Sequence, residues 1–183
     1  MASLGKLFTS TIVGLLHDRD KLTFDDPIAD YLDPALIDGL HVYRGTDYSR
    51  DIQIRHLLNQ TSGLPDNFSP LLNDVIEDRT FEISPRQAVE WTKEHGKPHR
   101  SPGKRLTYTD TNYHLLGLII ENITSRPFYQ VLRERIFEPL DMKHSWMLHH
   151  SDPIEEPSQP MAGDVGCSMA RPILVVGSAV GGS

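Results

Sequence analysis

Two places in the chain carry a serine and a lysine three residues apart: Ser3 with Lys6, and Ser101 with Lys104. On a helix, side chains at i and i+3 share a face, so the lysine amine can reach the serine hydroxyl. A neutral amine there takes the hydroxyl proton and makes the serine a nucleophile toward an acyl group. The pattern arises by chance about once in a chain of this length, so local context has to separate the two matches.

The surroundings of the two matches differ. Pro102 and Gly103 predict a turn for the second, which would not align its side chains on a helical face. The first opens an apolar run over residues 4–17, which predicts a helix beginning at Ser3 or just before it. At that end of a helix, the dipole and partial burial disfavour the ammonium and leave some neutral amine at Lys6. Free N–H groups there can also stabilise an acyl oxyanion.

Other reactive residues form weaker patterns. His95 and His99 have the spacing of a helical metal pair, but Gly96 and Pro98 interrupt any helix between them. The histidines within residues 144–152 lack the spacing of a metal site. No nucleophile elbow and no phosphate loop occurs in the sequence. We therefore expect no metal site and no cofactor.

The composition is that of a globular chain and excludes several classes of protein. The 183 residues correspond to about one domain, and a hydrophobic fraction of 38% is enough for a core. A net charge of −7 offers no basic surface for nucleic acid. The single cysteine, Cys167, rules out an intrachain disulfide and leaves the compartment open.

The apolar run after Lys6 does not fit a targeting or membrane segment. Residues 7–16 contain three hydroxyl side chains, and the polar stretch 17–21 follows without a small-residue cleavage site. The run is also too short to span a bilayer. We predict an amphipathic helix inside the domain, with no signal peptide and no membrane span.

Most other signals along the chain predict helices. The strongest covers residues 84–96, where Ser84 caps the helix, Pro85 takes the first helical position and Gln87 completes a capping box. Residues 111–124 are apolar enough to be buried on most sides. Weaker signals predict a turn-rich connection at 22–34, an extended piece at 40–43, a helix at 51–58 capped by Asp51, a loop at 59–66, irregular or weakly helical structure at 66–83, a helix from Pro127 through Ile136 and a β-like run at 173–177.

Four segments carry a longer pattern, in this order: SLGKLFTSTIVGLLHDRDKLTFDDPIADYL, IQIRHLLNQTSGLPD, SPGKRLTYTDTNYHLLGLIIENIT and FYQVLRERIFEPLDMKHSWM. They resemble the active-site helix, the loop that normally reads RHLLTHTSGL, the Tyr-x-Asn motif with its helix, and the helix ending in PLGM of the serine β-lactamase-like family. That family contains class C β-lactamases, D-alanyl-D-alanine carboxypeptidases, D-aminopeptidases and family VIII esterases. The resemblance is strongest over residues 1–147, and four ordered blocks are more specific than a single motif. Residues 148–183 are expected to be rich in loops, with one short strand.

The resemblance implies a fold and roles for four residues. The fold would be the mainly α portion of an α+β β-lactamase/transpeptidase-like domain, with most of its antiparallel sheet missing from this chain. Ser3 would form the acyl-enzyme and Lys6 would be its general base. Tyr108 would protonate the leaving group and later activate water. Asp110 would bind substrate in place of the motif's Asn.

The aspartate is a departure from the motif with a chemical consequence. A carboxylate only accepts hydrogen bonds, whereas an amide also donates them. Asp110 therefore weakens a β-lactamase assignment and suits an esterase or peptidase with a different ligand. Capping of the helix that follows is an equal alternative for this side chain.

Larger departures lie at the two ends of the chain. Only Met1 and Ala2 precede Ser3, where the family has strands, and neither Lys-Thr-Gly nor His-x-Gly, the family's third motif, occurs. That motif supplies the second oxyanion N–H, and loss of one such donor typically lowers the rate about 10²–10³-fold. Helices without their sheet would also expose apolar faces, which favours self-association.

Two hypotheses follow from these patterns. The first is a serine hydrolase acting through an acyl-enzyme on a small ester, amide or D-amino-acid peptide. The second is a catalytically silent fragment that serves as a binding or interaction module.

Overall fold

The computed structural model describes residues 3–78, 82–147 and 150–155, together with the backbone of a strand at 176–178. The helices are α1 Gly5–His17, α2 Pro34–Ile37, α3 Ile54–Leu58, α4 Phe68–Glu77, α5 Pro85–His95, α6 Thr111–Thr124 and α7 Phe128–Leu132. Short 3₁₀ turns occur at Ile28–Asp30 and Ser49–Asp51, and a π-helical turn at Arg133–Phe137 continues α7. The strands are β1 Val42–Tyr43 with β2 Thr46–Asp47, and β3 Ser145–Met147 with β4 Val176–Ser178, and both pairs are antiparallel.

Helix α6 lies at the centre of the fold. Its residues Leu115, Leu116, Ile119 and Ile120 are fully buried, and helices α1, α3, α5 and α7 pack around it. An all-round apolar helix is stable only when neighbours cover most of its surface. The burial predicted for 111–124 is confirmed.

The apolar pattern of residues 4–17 predicts one helical stripe, and the first turn of α1 departs from it. The stripe comprises Leu4, Leu7, Phe8, Ile12, Leu15 and Leu16. Leu4 and Leu7 are 56% and 65% exposed, whereas Gly5 and Thr9 are buried. Small side chains at the contact let the first turn of α1 approach α6 closely, and the two leucines turn outward. Further along the helix, Leu16 enters the core as predicted.

Local signals placed some helix ends correctly and others incorrectly. The capping box of Ser84 and Gln87, with Pro85 in the first turn and Gly96 after the last residue, is confirmed for α5. Asp51, by contrast, lies in a 3₁₀ turn, and the residue that caps α3 is Gln53. An isolated β-bridge between Pro27 and Gln53 holds that segment extended, so the helix begins later than predicted.

Residues 66–83 contain a helix that periodicity did not indicate clearly. Helix α4 runs for ten residues from Phe68. Asn67, directly before it, is fully buried and donates hydrogen bonds to the Ala88 carbonyl and to Thr92 Oγ1 of α5, at 3.1 and 2.9 Å. A tertiary anchor therefore sets where this helix begins.

The last elements agree with prediction as far as they are described. The helix predicted from Pro127 through Ile136 is present as α7 and its π-helical continuation. Of the β-like run at 173–177, Val176 and Gly177 belong to β4, and the other positions lie outside the described residues, as does Cys167. Within the described ranges, no helix is long and apolar enough to cross a membrane.

Two leucine-to-alanine substitutions in α1 test its packing. Leu16→Ala, at a side chain that is 7% exposed, should lower the free energy of unfolding by about 2–3 kcal/mol through lost transfer energy and a residual cavity. Leu7→Ala, at a side chain that is 65% exposed, should change it by less than about 0.5 kcal/mol. Urea unfolding monitored by circular dichroism measures both values. Equal losses would contradict the face assigned to α1.

Candidate active site

The structure brings a serine, a lysine, a tyrosine and an aspartate together at the start of two helices. The Oγ of Ser3 lies 2.9 Å from the phenolic oxygen of Tyr108, 105 residues later in the chain. The Nζ of Lys6 lies 5.0 Å from the centroid of the Tyr108 ring. All three residues predicted for catalysis therefore meet at one place.

Ser3 stands just outside the helix that was expected to hold it. Helix α1 begins at Gly5, two residues later than predicted, and Ser3 forms no side-chain cap. Its carbonyl instead accepts a hydrogen bond from the backbone N–H of Lys6, at 3.2 Å. This hydrogen bond adds one turn before the first residue of α1, so Ser3 lies about one turn before Lys6.

Lys6 forms an ion pair with Asp110. Its Nζ lies 2.5 Å from Oδ1 of that carboxylate, and the two side chains are only 10% and 7% exposed. A second aromatic ring, that of Tyr113, lies 5.5 Å from the same Nζ. Asp110 occupies the N-cap position of α6, but its side chain makes no capping hydrogen bond. The pairing with Lys6, not capping, is the role the geometry gives this side chain.

The charge state of Lys6 differs from the one that helix position alone predicts. Burial lowers the pKa of the Lys6 amine, but hydrogen bonds to Asp110 and Tyr108 and the charge of Asp110 together outweigh it. The net pKa lies above the ordinary lysine value of 10.5. The expectation of a partly neutral amine is therefore wrong for the resting site, because it left out the buried carboxylate.

A loop at residues 60–66 holds the segment that carries Tyr108 and Asp110. The Oε1 of Gln60 accepts hydrogen bonds from the Thr109 backbone N–H and the Asn112 side chain, at 3.0 and 2.6 Å. The Asp66 carboxylate accepts one from the backbone N–H of Asp110, at 2.9 Å. With the bond from the Thr107 N–H to the Gln60 carbonyl, at 2.8 Å, they fix the backbone on both sides of Tyr108, which is itself 51% exposed.

The same loop allows no side chain at one position. Gly63 has φ +79°, and a Cβ there would lie 2.2 Å from the backbone oxygen of Arg100. Gln60 has φ +59°, a conformation that costs a non-glycine residue about 1–3 kcal/mol and persists only where the surroundings enforce it. The loop is therefore held by many contacts at once, which makes it a rigid support.

The remaining candidate residues lie elsewhere. Ser101 and Lys104 are in an irregular turn, as predicted, and form no helical face. His95 stacks on Trp91, with ring centroids 4.8 Å apart. Among the residues that the structure describes, no group of three or more His, Cys, Asp or Glu side chains is arranged to hold a metal ion.

Sequence reasoning missed the residues that support the site. Gln60 stands where the resembled phrase has His, and this departure is the one signal in the sequence that could have pointed to it. Asp66 and Tyr113 carried no signal of their own, because a single polar or aromatic residue beside a helix is common in any domain. Their proximity to the site follows only from the fold.

Comparisons with known proteins place the chain in a family. A profile of the Beta-lactamase family matches residues 1–180. The chain therefore belongs to the Beta-lactamase family, and it is the mainly α portion of the β-lactamase/transpeptidase-like fold.

Similar proteins come from several bacteria. Protein flp of Staphylococcus aureus (strain MW2) is 29% identical over 145 residues, which cover 79% of this chain and 27% of that protein. A putative D-alanyl-D-alanine carboxypeptidase of Escherichia coli K12 is 29% identical over 148 residues, or 79% of this chain and 32% of that one. The crystal structure of a D-stereospecific amidohydrolase from Streptomyces sp. superposes with a TM-score of 0.73 at 29% identity, over 87% of this chain and 47% of that one. The matched segment thus spans about a third or less of the length of protein flp and of the putative carboxypeptidase.

The charge of Lys6 can be observed directly. In protein labelled with ¹³C-lysine, the Cε resonance of Lys6 should titrate above the ordinary lysine pKa, because the nearby carboxylate favours the ammonium. Asp110→Asn removes that charge and should move the titration to lower pH, since burial then opposes the charged form. Glu155→Gln makes the same change beside the exposed Lys143 and should leave Lys6 unaltered. An unchanged titration in Asp110→Asn would show that the ion pair does not set this pKa.

Proposed function

We propose that this chain carries the nucleophile half of a serine hydrolase that works through an acyl-enzyme on small esters, amides or D-amino-acid peptides. The observation that supports it best is the contact of Ser3 Oγ with Tyr108 at 2.9 Å, beside the Lys6 amine. A nucleophile in reach of a base, which a third group orients, is the arrangement that acyl transfer requires. Membership of the Beta-lactamase family supports the same reaction class.

In the proposed acylation step, the Oγ of Ser3 bonds to the acyl carbon as the bond to the leaving group breaks. The hydroxyl proton passes to the Lys6 amine, directly or through the Tyr108 phenol that touches Ser3. Tyr108 then donates a proton to the departing oxygen or nitrogen. In deacylation, the Tyr108 phenolate takes a proton from water as the water oxygen bonds to the acyl carbon, and the Lys6 ammonium returns its proton to Ser3 Oγ as the bond to the acyl group breaks.

The ion pair sets a condition on this chemistry. Because Asp110 holds Lys6 as an ammonium at rest, the amine accepts a proton only after it has lost one. The reactive fraction of the enzyme should therefore rise with pH. We propose that the second carboxylate oxygen of Asp110 binds substrate, where it would accept a hydrogen bond from an N–H group.

Names of similar proteins support the range of substrates without choosing among them. One is a putative D-alanyl-D-alanine carboxypeptidase and one is a D-stereospecific amidohydrolase. Both act, by name, on substrates with D-configuration, which favours D-amino-acid amides and peptides as the first compounds to assay.

The second candidate function is a catalytically silent binding or interaction module. The exposed leucines favour it: Leu4 and Leu7 on α1 and Leu106 and Leu140 elsewhere are each more than half exposed. Exposed apolar side chains that form a contiguous patch favour association with a partner or a second copy. Self-association is a prediction of this alternative, and sedimentation of the purified chain measures it.

A covalent probe separates the two functions. A fluorophosphonate should react with Ser3 and add its mass to the peptide that contains it, as read by mass spectrometry. Ser3→Ala should abolish labelling, and Lys6→Ala should slow it by about 10²-fold or more, since general base catalysis typically contributes that much.

The second serine–lysine pair provides a matched control. Ser101→Ala and Lys104→Ala make identical changes in a turn without helical geometry and should leave labelling at the wild-type rate. Folded protein, judged by circular dichroism, that gains no adduct at Ser3 would favour the silent module.

The pH dependence of labelling tests the role of Asp110. The labelling rate should climb steadily from pH 7 to pH 10, because the neutral fraction of Lys6 grows as the pH approaches its raised pKa. Asp110→Asn lowers that pKa and should shift the rising limb to lower pH, so that the variant reacts faster than wild type near pH 8. A fluorophosphonate has no N–H group to donate a hydrogen bond to Asp110, so the measurement is independent of the proposed contact of Asp110 with substrate. Parallel profiles in the two proteins would contradict this role.

A further inference from the structure

A cavity of about 170 Å³ opens beside the Lys6–Asp110 pair. Lys6, Gly5 and Thr9 line it from α1, and one face of α6 lines it from Asp110 down to Glu121. The opposite wall is apolar and aromatic, with Pro127, Phe128, Tyr129 and Met147. A cavity of roughly 150 Å³ with apolar walls is large enough to hold a benzene ring.

Two residues of α6 give the cavity its shape and its polar point. Gly117 lines it, and a Cβ built on this glycine would meet nothing within 4 Å. His114 also lines it, and its Nε2 is buried without a hydrogen-bond partner among the described residues. A buried ring nitrogen that faces a cavity can form a hydrogen bond with a ligand that enters it.

The protonation of His114 determines what it can bind. Burial, together with the charge of Lys6, lowers the pKa of His114 to about 4, so the ring is neutral at physiological pH. Its Nδ1 lies 3.4 Å from the side-chain nitrogen of Asn67, which is a donor. Both protons of that nitrogen already go to Ala88 and Thr92, but a proton on Nδ1 would face this donor group, so the ring proton is assigned to Nε2, where it can be donated to an acceptor on a ligand.

The cavity begins close to the nucleophile. Gly5 and Lys6, which line it, belong to the first turn of α1, and Ser3 precedes them by two and three residues. In helical geometry that separation is about one turn, or roughly 5 Å. The side chain of an acyl group bound to Ser3 is long enough to cover this distance.

We propose that this cavity binds a phenyl-sized apolar side chain of the acyl donor, that His114 donates a hydrogen bond to an acceptor on the same ligand, and that Gly117 sets the depth of the pocket. The assignment to the acyl donor rests on the proposed serine hydrolase function. The binding of the ligand itself does not, since it requires only the cavity. The substrate class that follows is an aryl-alkanoyl ester or amide, or the derivative of an aromatic amino acid.

Binding is measured first, in the full chain with Ser3→Ala, so that no reaction occurs. Phenylacetamide carries both a phenyl ring and a carbonyl acceptor, and titration calorimetry or chemical-shift perturbation gives its Kd. Gly117→Leu fills the cavity and should raise the Kd at least about tenfold. Gly14→Leu is the matched control, because Gly14 lies in the middle of α1, away from the cavity, and a Cβ there also meets nothing within 4 Å.

Gly117→Ala guards against a variant that fails to fold. Alanine stabilises a helix interior relative to glycine, so this variant should fold and should weaken phenylacetamide binding by a smaller factor than leucine does. Failure of phenylacetamide to bind folded protein would overturn the proposal. Equal Kd values for wild type, Gly117→Ala and Gly117→Leu would overturn it as well.

Turnover is measured second, with Ser3 intact. Gly117→Leu should lower kcat/KM for 4-nitrophenyl phenylacetate about tenfold or more relative to 4-nitrophenyl acetate, while Gly14→Leu leaves the ratio unchanged. If phenylacetamide binds but neither ester is hydrolysed, the proposed hydrolase function is wrong and the pocket assignment still stands. If both esters are hydrolysed but Gly117→Leu leaves the ratio of their kcat/KM values unchanged, the pocket assignment is wrong and the hydrolase function still stands.

Discussion

The nearly buried ion pair between Lys6 and Asp110 joins the starts of α1 and α6. Two charges that have lost most of their water require each other, because removing one leaves the other desolvated without a partner. The pair therefore fixes the position of α1 along α6 at one end, while Ile12, Val13 and Leu16 further along α1 are buried in the core. The four residues predicted to act on a substrate, Ser3, Lys6, Tyr108 and Asp110, lie at or next to this ion pair.

The junction separates groups that need water from groups that exclude it. Ser3 and Tyr108 are exposed and can meet a substrate from solution, whereas Lys6 and Asp110 lie beneath them. The burial strengthens the interaction of the lysine with the carboxylate and with the two tyrosine rings that flank it. The pKa of Lys6 is therefore set by its burial and by its contacts with Asp110 and Tyr108 together, and not by the ordinary value for lysine.

Much of the fold and most of the site could be predicted from sequence, and the reasons differ. Helices α5 and α6 were predictable because the cap of Ser84 and the apolar run of α6 are local signals. Ser3, Lys6, Tyr108 and Asp110 came from spacing and family resemblance, and the structure brings them together. That proximity is consistent with the roles assigned to them, which stay predictions.

Features that depend on distant contacts could not be predicted. The first turn of α1 turns its leucines outward because small residues face α6, and α4 begins where buried Asn67 is anchored to α5. The pKa of Lys6 was predicted in the wrong direction, since a carboxylate 104 positions away in the chain does not enter an argument from helix position. Gln60 escaped notice because its importance lies in hydrogen bonds to a segment that follows it by some fifty residues.

Ser3 lies before the first residue of α1. Two contacts position it: the hydrogen bond from the Lys6 N–H to its carbonyl, and the contact of its hydroxyl with the phenol of Tyr108. The phenol, in turn, depends on a loop in which glycine at position 63 is obligatory. Ser62 and Leu64 of that loop are fully buried, so opening the loop would disrupt part of the core as well as the position of the hydroxyl. The contact between the Ser3 hydroxyl and Tyr108 therefore requires that the loop at residues 60–66, far from Ser3 in the sequence, is folded.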